Sequence, residues 1–309
     1  IVISSANDSF PIERLNSEGF SMTDNIARAL QKIEAQKQAD IKRANKIAQT
    51  SIDITRYRNE RNFMSYPVFS SIYPKGGKGR RIHDVYEYND GERQFVVTPN
   101  RSFGMPDQVD GNILRYALSK AIEVKRKYSI VPSCVEVSRY ELCKALGLAV
   151  GGTQYTEINN RLNRLAGAQF VGNVFKKDEI FTGTLVSFSY PENKGHIQIS
   201  FNPKLLTVVE EDSSCLAIPD EILQLKNPFQ IRLIEFLRLR MGDKNEWIIG
   251  LNKLKDYCGV QKDMTLRLFK RNLVRQKIPY TLTFSKSAKL INQKVLFKKT
   301  PDPLRTTIE

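Results

Sequence analysis

Residues 135–171, VEVSRYELCKALGLAVGGTQYTEINNRLNRLAGAQFV, and residues 247–284, WIIGLNKLKDYCGVQKDMTLRLFKRNLVRQKIPYTLTF, follow one outline. Each opens with a short apolar strand that runs into a capping residue, Ser138 or Asn252. A short helix follows and ends at Gly147 or Gly259, and a longer polar helix then leads into alternating apolar strands. That order predicts a helix-turn-helix with a β-wing, since the period changes from helical to alternating where a hairpin must begin. Two copies predict an α+β chain of tandem winged-helix domains, suited to gripping duplex DNA twice.

Around the two copies, the segment 23–49 reads as one long extra N-terminal helix. Ile26, Leu30 and Ile33 form a stripe on it that should lie along a domain edge or a partner. The a/d seam does not persist long enough for a coiled coil. The expected division is an N-terminal extension over 1–63, a first domain over 64–209, a second over 216–300 and a tail over 301–309. The acidic break EEDSS at 210–214 separates the two domains. Within the first, SYPVFSSIY is extended and GGKGRR a basic loop. Asn89-Asp90-Gly91 centres a hairpin that pairs either inside its own domain or with another subunit. Ile113, Leu114, Ala117, Leu118, Ala121 and Ile122 mark a helix, FTGTLVSFSY pairs with HIQISFN across a turn, and Pro228 suits the first turn of a helix with Ile231, Ile234, Leu237 and Met241 on its apolar face.

The chain carries 48 Lys+Arg against 33 Asp+Glu, a net charge of +15, which favours a polyanionic partner. Residues 216–300 hold 18 cations against 7 acids (+11), residues 66–209 hold 19 against 13 (+6), and residues 1–65 only +2. No apolar run approaches the ~18 residues a membrane span needs, and no signal peptide is visible. The expected setting is the cytoplasm, on the nucleoid. The chain starts at Ile1 without an initiator Met, which points to a fragment of a longer protein. Cys134, Cys143, Cys215 and Cys258 show no CxxC spacing and read as buried reduced thiols.

In the first copy, Tyr155, Ile158, Leu162 and Leu165 set the inward face of the longer helix. Thr153, Gln154, Thr156, Asn160, Asn163 and Arg164 then face outward, with Asn159 and Arg161 at the margins. Asn and Gln bond adenine, Arg bonds guanine and Thr meets the thymine methyl, so this face is equipped to read bases. Lys194 lies at the tip of the following hairpin. In the second copy Leu266, Phe269, Leu273 and Ile278 point inward, leaving Lys262, Arg267, Lys270, Arg271, Arg275 and Lys277 outward, with Lys286, Lys289 and Lys294 on the wing. A helix face of cations with almost no acids is suited to holding phosphates. The first helix is thus expected to read and the second to grip.

Catalysis is not expected, nor a metal or cofactor. A nickase that cuts with tyrosine needs clustered histidines, and the only two, His83 and His196, stand apart; GGKGRR lacks the spacing and hydroxyl of a phosphate loop. A partition or transcription regulator built from the same modules is the alternative to a replication role.

SYPVFS, the hairpin before VTP, GMPDQVDGNILRYALSKA, the whole first copy, and PFQIRLIEFLRLR with W..GL.KL.DYCG resemble, in order and spacing, the plasmid-type replication initiators of the replication initiator protein A group. The similarity covers residues 64–300. LFKRNLVRQKIPYTLTF also resembles the C-terminal winged helix of iteron-binding Rep proteins. The resemblance implies tandem winged-helix domains that bind direct repeats at an origin, help to open the duplex and recruit host replication proteins. It implies dimers that repress and monomers that bind repeats, the conversion aided by Hsp70-type chaperones. By motif position the recognition helices fall on 153–166 and 263–277. The extra N-terminal helix departs from the simple plasmid pattern and leaves open whether further domains flank these.

Overall fold

A computed structural model of the chain describes residues 15–48, 52–71, 83–191, 195–211, 214–260, 264–285 and 289–300. The GGKGRR loop and the tail 301–309 lie outside these residues.

The chain opens with α1 (Leu15–Ala48). Its last turns pack: Ala44 and Ala48 are buried, and the Asn45 side chain accepts the Ser133 and Cys134 N–H groups and donates to Ser133 Oγ. The expected stripe does not pack on the described chain, with Ile26, Leu30 and Ile33 exposed at 52, 61 and 64%. After β1 (Arg58–Glu60), the Glu60 carboxylate caps α2 (Arg61–Ser65) by accepting the Phe63 N–H at 3.0 Å, while burial pushes its pKa up to about 7.

Strands β2 (Tyr86–Asn89) and β3 (Gln94–Thr98) form the expected hairpin. Gly91 takes a φ of +89° at the turn, and Asp90 Oδ1 accepts the N–H groups of Glu92 and Arg93. Helix α3 (Gly111–Tyr128) is buried along nearly its whole length, followed by β4 (Cys134–Ser138), α4 (Arg139–Ala145), α5 (Gly152–Gly167) and β5 (Gln169–Gly172). The segment FTGTLVSFSY is two strands rather than one, β6 (Phe181–Gly183) and β7 (Val186–Ser189). Between them Gly183 has φ +148°, and Asn202 ties down the bend by donating its side-chain amide to Thr184 O and its N–H to Leu185 O. β6 therefore joins a sheet in the order β2-β3-β5-β6, and the hairpin at Asp90 pairs within its own chain. β7 pairs with β8 (His196–Phe201), which also pairs with β4, in the order β4-β8-β7.

Next come α6 (Pro203–Glu210), β9 (Cys215–Ala217), a 3₁₀ turn over Asp220–Gln224, and α7 (Pro228–Met241), with Pro228 in its first turn and Asn227 as its cap. The second copy is β10 (Glu246–Gly250), α8 (Leu251–Tyr257), α9 (Leu266–Val274), β11 (Tyr280–Phe284) and β12 (Lys294–Lys299), with the sheet order β10-β12-β11. In each copy a strand and two helices lead to a hairpin whose last strand pairs with the opening one, and in the first copy β5 and β6 intervene before that hairpin and join the other sheet. The cap of the second copy is Gly250, not Asn252, because α8 begins two residues earlier than a cap at its first polar residue would place it.

Two apolar cores form, and some elements contribute to a core outside their own stretch of sequence. Ala44, Ala48 and Phe63 belong to the first core, and β1 pairs with β9 across the whole first unit. α7 serves both units: Ile231 and Ile234 enter the first core, while Phe229, Leu233, Phe236, Leu237 and Met241 enter the second. From Ile231 to Leu237 the helix is buried on all sides, so two charged residues are buried with it. Glu235 meets Arg115 of α3 in a two-bond pair, Nε to Oε1 at 2.7 Å and Nη2 to Oε2 at 2.6 Å, and accepts the Asn59 amide at 2.7 Å. Arg232 donates to the carbonyls of Phe63, Met64 and Ser65 at the end of α2 and of Tyr257 at the end of α8. One guanidinium thereby satisfies the open carbonyls of two helix ends from different units.

All four cysteines are free and buried. Burial pushes the Cys215 thiol up to about 11 and that of Cys258 to about 12, which keeps both protonated and unreactive near neutrality.

Candidate nucleic-acid interface

The first unit is built on a reciprocal cap. Ser138 Oγ accepts the Glu141 N–H while the Glu141 carboxylate accepts the Ser138 N–H, which fixes the start of α4. Gly147, at φ +60°, ends it and turns the chain toward α5. On α5, Ile158, Leu162 and Leu165 are buried as expected, and Tyr155 is half-buried at the edge. Thr153 and Thr156 are exposed, and Gln154, Asn159, Asn160 and Asn163 partly so. Thr156, Asn159, Asn160 and Asn163 form one stripe opposite the core, at helical spacing. Thr156 donates to Gly152 O within its own helix, and Asn159 Oδ1 accepts the Tyr190 hydroxyl of the hairpin at 2.9 Å.

The two arginines of this helix face inward rather than outward. Arg164 is 3% exposed and grips Asp110, Nε to Oδ2 at 2.6 Å and Nη2 to Oδ1 at 2.7 Å. Burial disfavours its charge, but the Asp110 bonds outweigh that and raise its pKa. Arg161 is also buried and pairs with Glu157 one turn away at 3.1 Å. Neither is placed to reach a base. Their partners explain why: the carboxylate of Asp110 lies 54 positions away in sequence, on the loop before α3, and is brought to α5 only by packing.

In the second unit, Gly259, at φ +63°, ends α8 where a Cβ would lie 2.3 Å from Pro67 Cβ, so the turn is pressed against the first unit and admits only glycine. Thr265 caps α9 by accepting the Leu268 N–H. Phe269 and Leu273 are buried, and Arg267 and Arg271, one turn apart, are exposed. The expected helix over 263–277 is shorter. Pro279 holds Ile278 extended, and Gln276 turns back to donate to Asn272 O, so Arg275 and Lys277 are exposed but lie past the helix end. Lys270 is a half-buried strut, donating to Gln293 Oε1 at 2.8 Å and resting 4.2 Å from the Phe284 ring centroid. Lys289 is exposed before the turn into β12, and Lys294 begins that strand. Lys194, Lys262 and Lys286 lie outside the described residues.

No helix among the described residues is long and apolar enough to cross a membrane, and no group of three or more His, Cys, Asp or Glu residues among them is placed to hold a metal.

No curated protein matches the chain. Among solved structures, it is similar to domains 2 and 3 of RctB, the vibrio chromosome II initiator, with a TM-score of 0.54 and 12% identity, covering 78% of this chain and 98% of that one. A second structure of RctB domains 2–3 aligns with a TM-score of 0.46 and 12% identity, over 75% of this chain and 95% of that one. The likeness to RctB at this identity is one of fold. The family model for replication initiator protein A matches residues 58–280, from β1 through the first unit and the strand and two helices of the second to the start of β11, and the chain belongs to that family.

Proposed function

We propose that the two units are winged-helix modules through which this initiator binds repeated duplex DNA at an origin, α5 reading bases and α9 holding phosphates. The observation that carries this is the repetition itself: two units of one topology, each leaving the polar face of its second helix uncovered. α9 offers Arg267 and Arg271 with no acid anywhere along it, while α5 offers asparagines and threonines. Origin opening, recruitment of host replication proteins, and control by a dimer–monomer equilibrium with Hsp70-type chaperones belong to the same proposal, as does action by binding without catalysis.

Selecting binding sites from random duplex DNA tests it. A recovered direct repeat supports the proposal, and recovery of no common sequence contradicts it. Arg267→Ala and Arg271→Ala are each expected to weaken binding to all duplexes alike and to lower the slope of log affinity against log salt by ~1. Unchanged affinity and slope in both would remove α9 from the interface. Asn160→Ala and Asn163→Ala should instead relax the preferred sequence, by ~1–3 kcal/mol for each bidentate pair with a base that the substitution removes. Competition between the selected repeat and its single-base variants measures this, and an unaltered ranking in both variants would show that α5 does not read bases.

A further inference from the structure

Arg139 follows the cap Ser138 and opens α4 at the place where β4, α5 and the β7–β8 hairpin meet. Its backbone N–H donates to Gly195 O at the hairpin's returning end. Its guanidinium carbon lies 5.2 Å from the centroid of the Tyr190 ring and 6.0 Å from that of Tyr155. Among the described residues no carboxylate pairs with it, and its Nε is buried without a hydrogen-bond partner. Of the three arginines on α4 and α5, Arg161 and Arg164 are neutralised by Glu157 and Asp110, and Arg139 alone keeps an unbalanced charge among the described residues.

Aromatic rings satisfy the charge of a guanidinium, but not its N–H donors. Arg139 as a whole is only half-buried: its Nε is closed off without an acceptor, which is costly, and its remaining guanidinium donors are left to an acceptor from outside. The rings also hold the planar group in place, which leaves its in-plane donors oriented in advance for an oxyanion. The position fits: Tyr155 is one turn from Asn159 on α5, Asn159 is bonded to Tyr190, and Asn159 is one turn from Asn163 on the exposed stripe. With its own arginines turned inward, α5 needs a cation from a neighbouring element to anchor it on DNA.

We propose that Arg139, braced by Tyr155 and Tyr190, binds a backbone phosphate beside the groove that α5 reads. This rests on the reading of the unit as a duplex-binding module. Arg139→Met keeps much of the side-chain bulk and removes the charge, while Arg139→Lys keeps the charge without the planar fork. On the selected repeat, Arg139→Met is expected to lose about tenfold in affinity, the scale of one charge-assisted bond, and ~1 in salt slope. The ranking of repeat variants should be unchanged. Arg139→Lys should keep the slope and lose less affinity. Wild-type affinity and slope in Arg139→Met would overturn the proposal. So would a loss of affinity with an unchanged slope and a lowered thermal midpoint, which would make Arg139 a brace for the hairpin only. If the wild-type protein binds no duplex, the parent reading fails and this one with it.

Discussion

Replacing Glu235 by alanine is expected to lower the free energy of unfolding by about 3–5 kcal/mol, the cost of stranding one charge of a buried pair. Arg115 would keep its bonds to Gln108, but its Nε and one bond of Nη2 would lose their acceptor where no water reaches, and Asn59 would lose its acceptor too. The effect should reach both units, because α7 contributes apolar residues to each core. Glu235→Gln keeps a neutral acceptor and should fall between the two. Denaturant unfolding followed by far-ultraviolet circular dichroism measures all three proteins. A change below about 1 kcal/mol, the size of an ordinary neutral hydrogen bond, would mean that the pair does not join the units.

Arg164→Ala is the second large effect, and it separates a structural role from a reading one. Removing the guanidinium leaves Asp110, 1% exposed, without its two shortest bonds, so a loss of about 3–5 kcal/mol is again expected. Asp110 Oδ2 also accepts the Asp107 N–H, so the loop that starts α3 should loosen with it. At a temperature where the variant remains folded, its ranking of DNA repeats should match that of the wild type. A variant of normal stability with altered base preference would place Arg164 on the outer face after all.

These two pairs mark where the fold stopped being legible from sequence. Signals confined to one element were readable: the Ser138 cap, the glycines at 147 and 259, the Asp90-Gly91 turn and Pro228 at a helix start all act over a few residues. Period also worked where one face is buried, as with Ile158, Leu162 and Leu165. For α7 it was incomplete: Ile231, Ile234, Leu237 and Met241 are buried as expected, but Leu233 and Phe236 are buried too, because the middle of the helix has no polar face to define the apolar one. It failed for Arg164 because helical position alone does not distinguish an exposed cation from one whose partner arrives from a distant loop. The split of FTGTLVSFSY into two sheets depends on Asn202, some twenty residues on, and could not be seen in the strand itself.

The structure sharpens the contrast between the two units. With Arg161 and Arg164 turned inward, α5 presents asparagines and threonines with no free arginine of its own, whereas α9 presents Arg267 and Arg271 openly. Arg232, Arg115 and Glu235 hold the units together through buried contacts, so the distance between α5 and α9 is set by packing rather than by a flexible linker.

Hydroxyl-radical footprinting of the protein on its selected repeat tests the central claim most directly. Two modules held in fixed relation on one duplex should protect two patches on the same face, spaced by about one helical turn. The patch of the second unit should disappear in the Arg267→Ala/Arg271→Ala double variant, and the other should remain. A single patch unaffected by that variant, or protection without repeat specificity, would contradict the account.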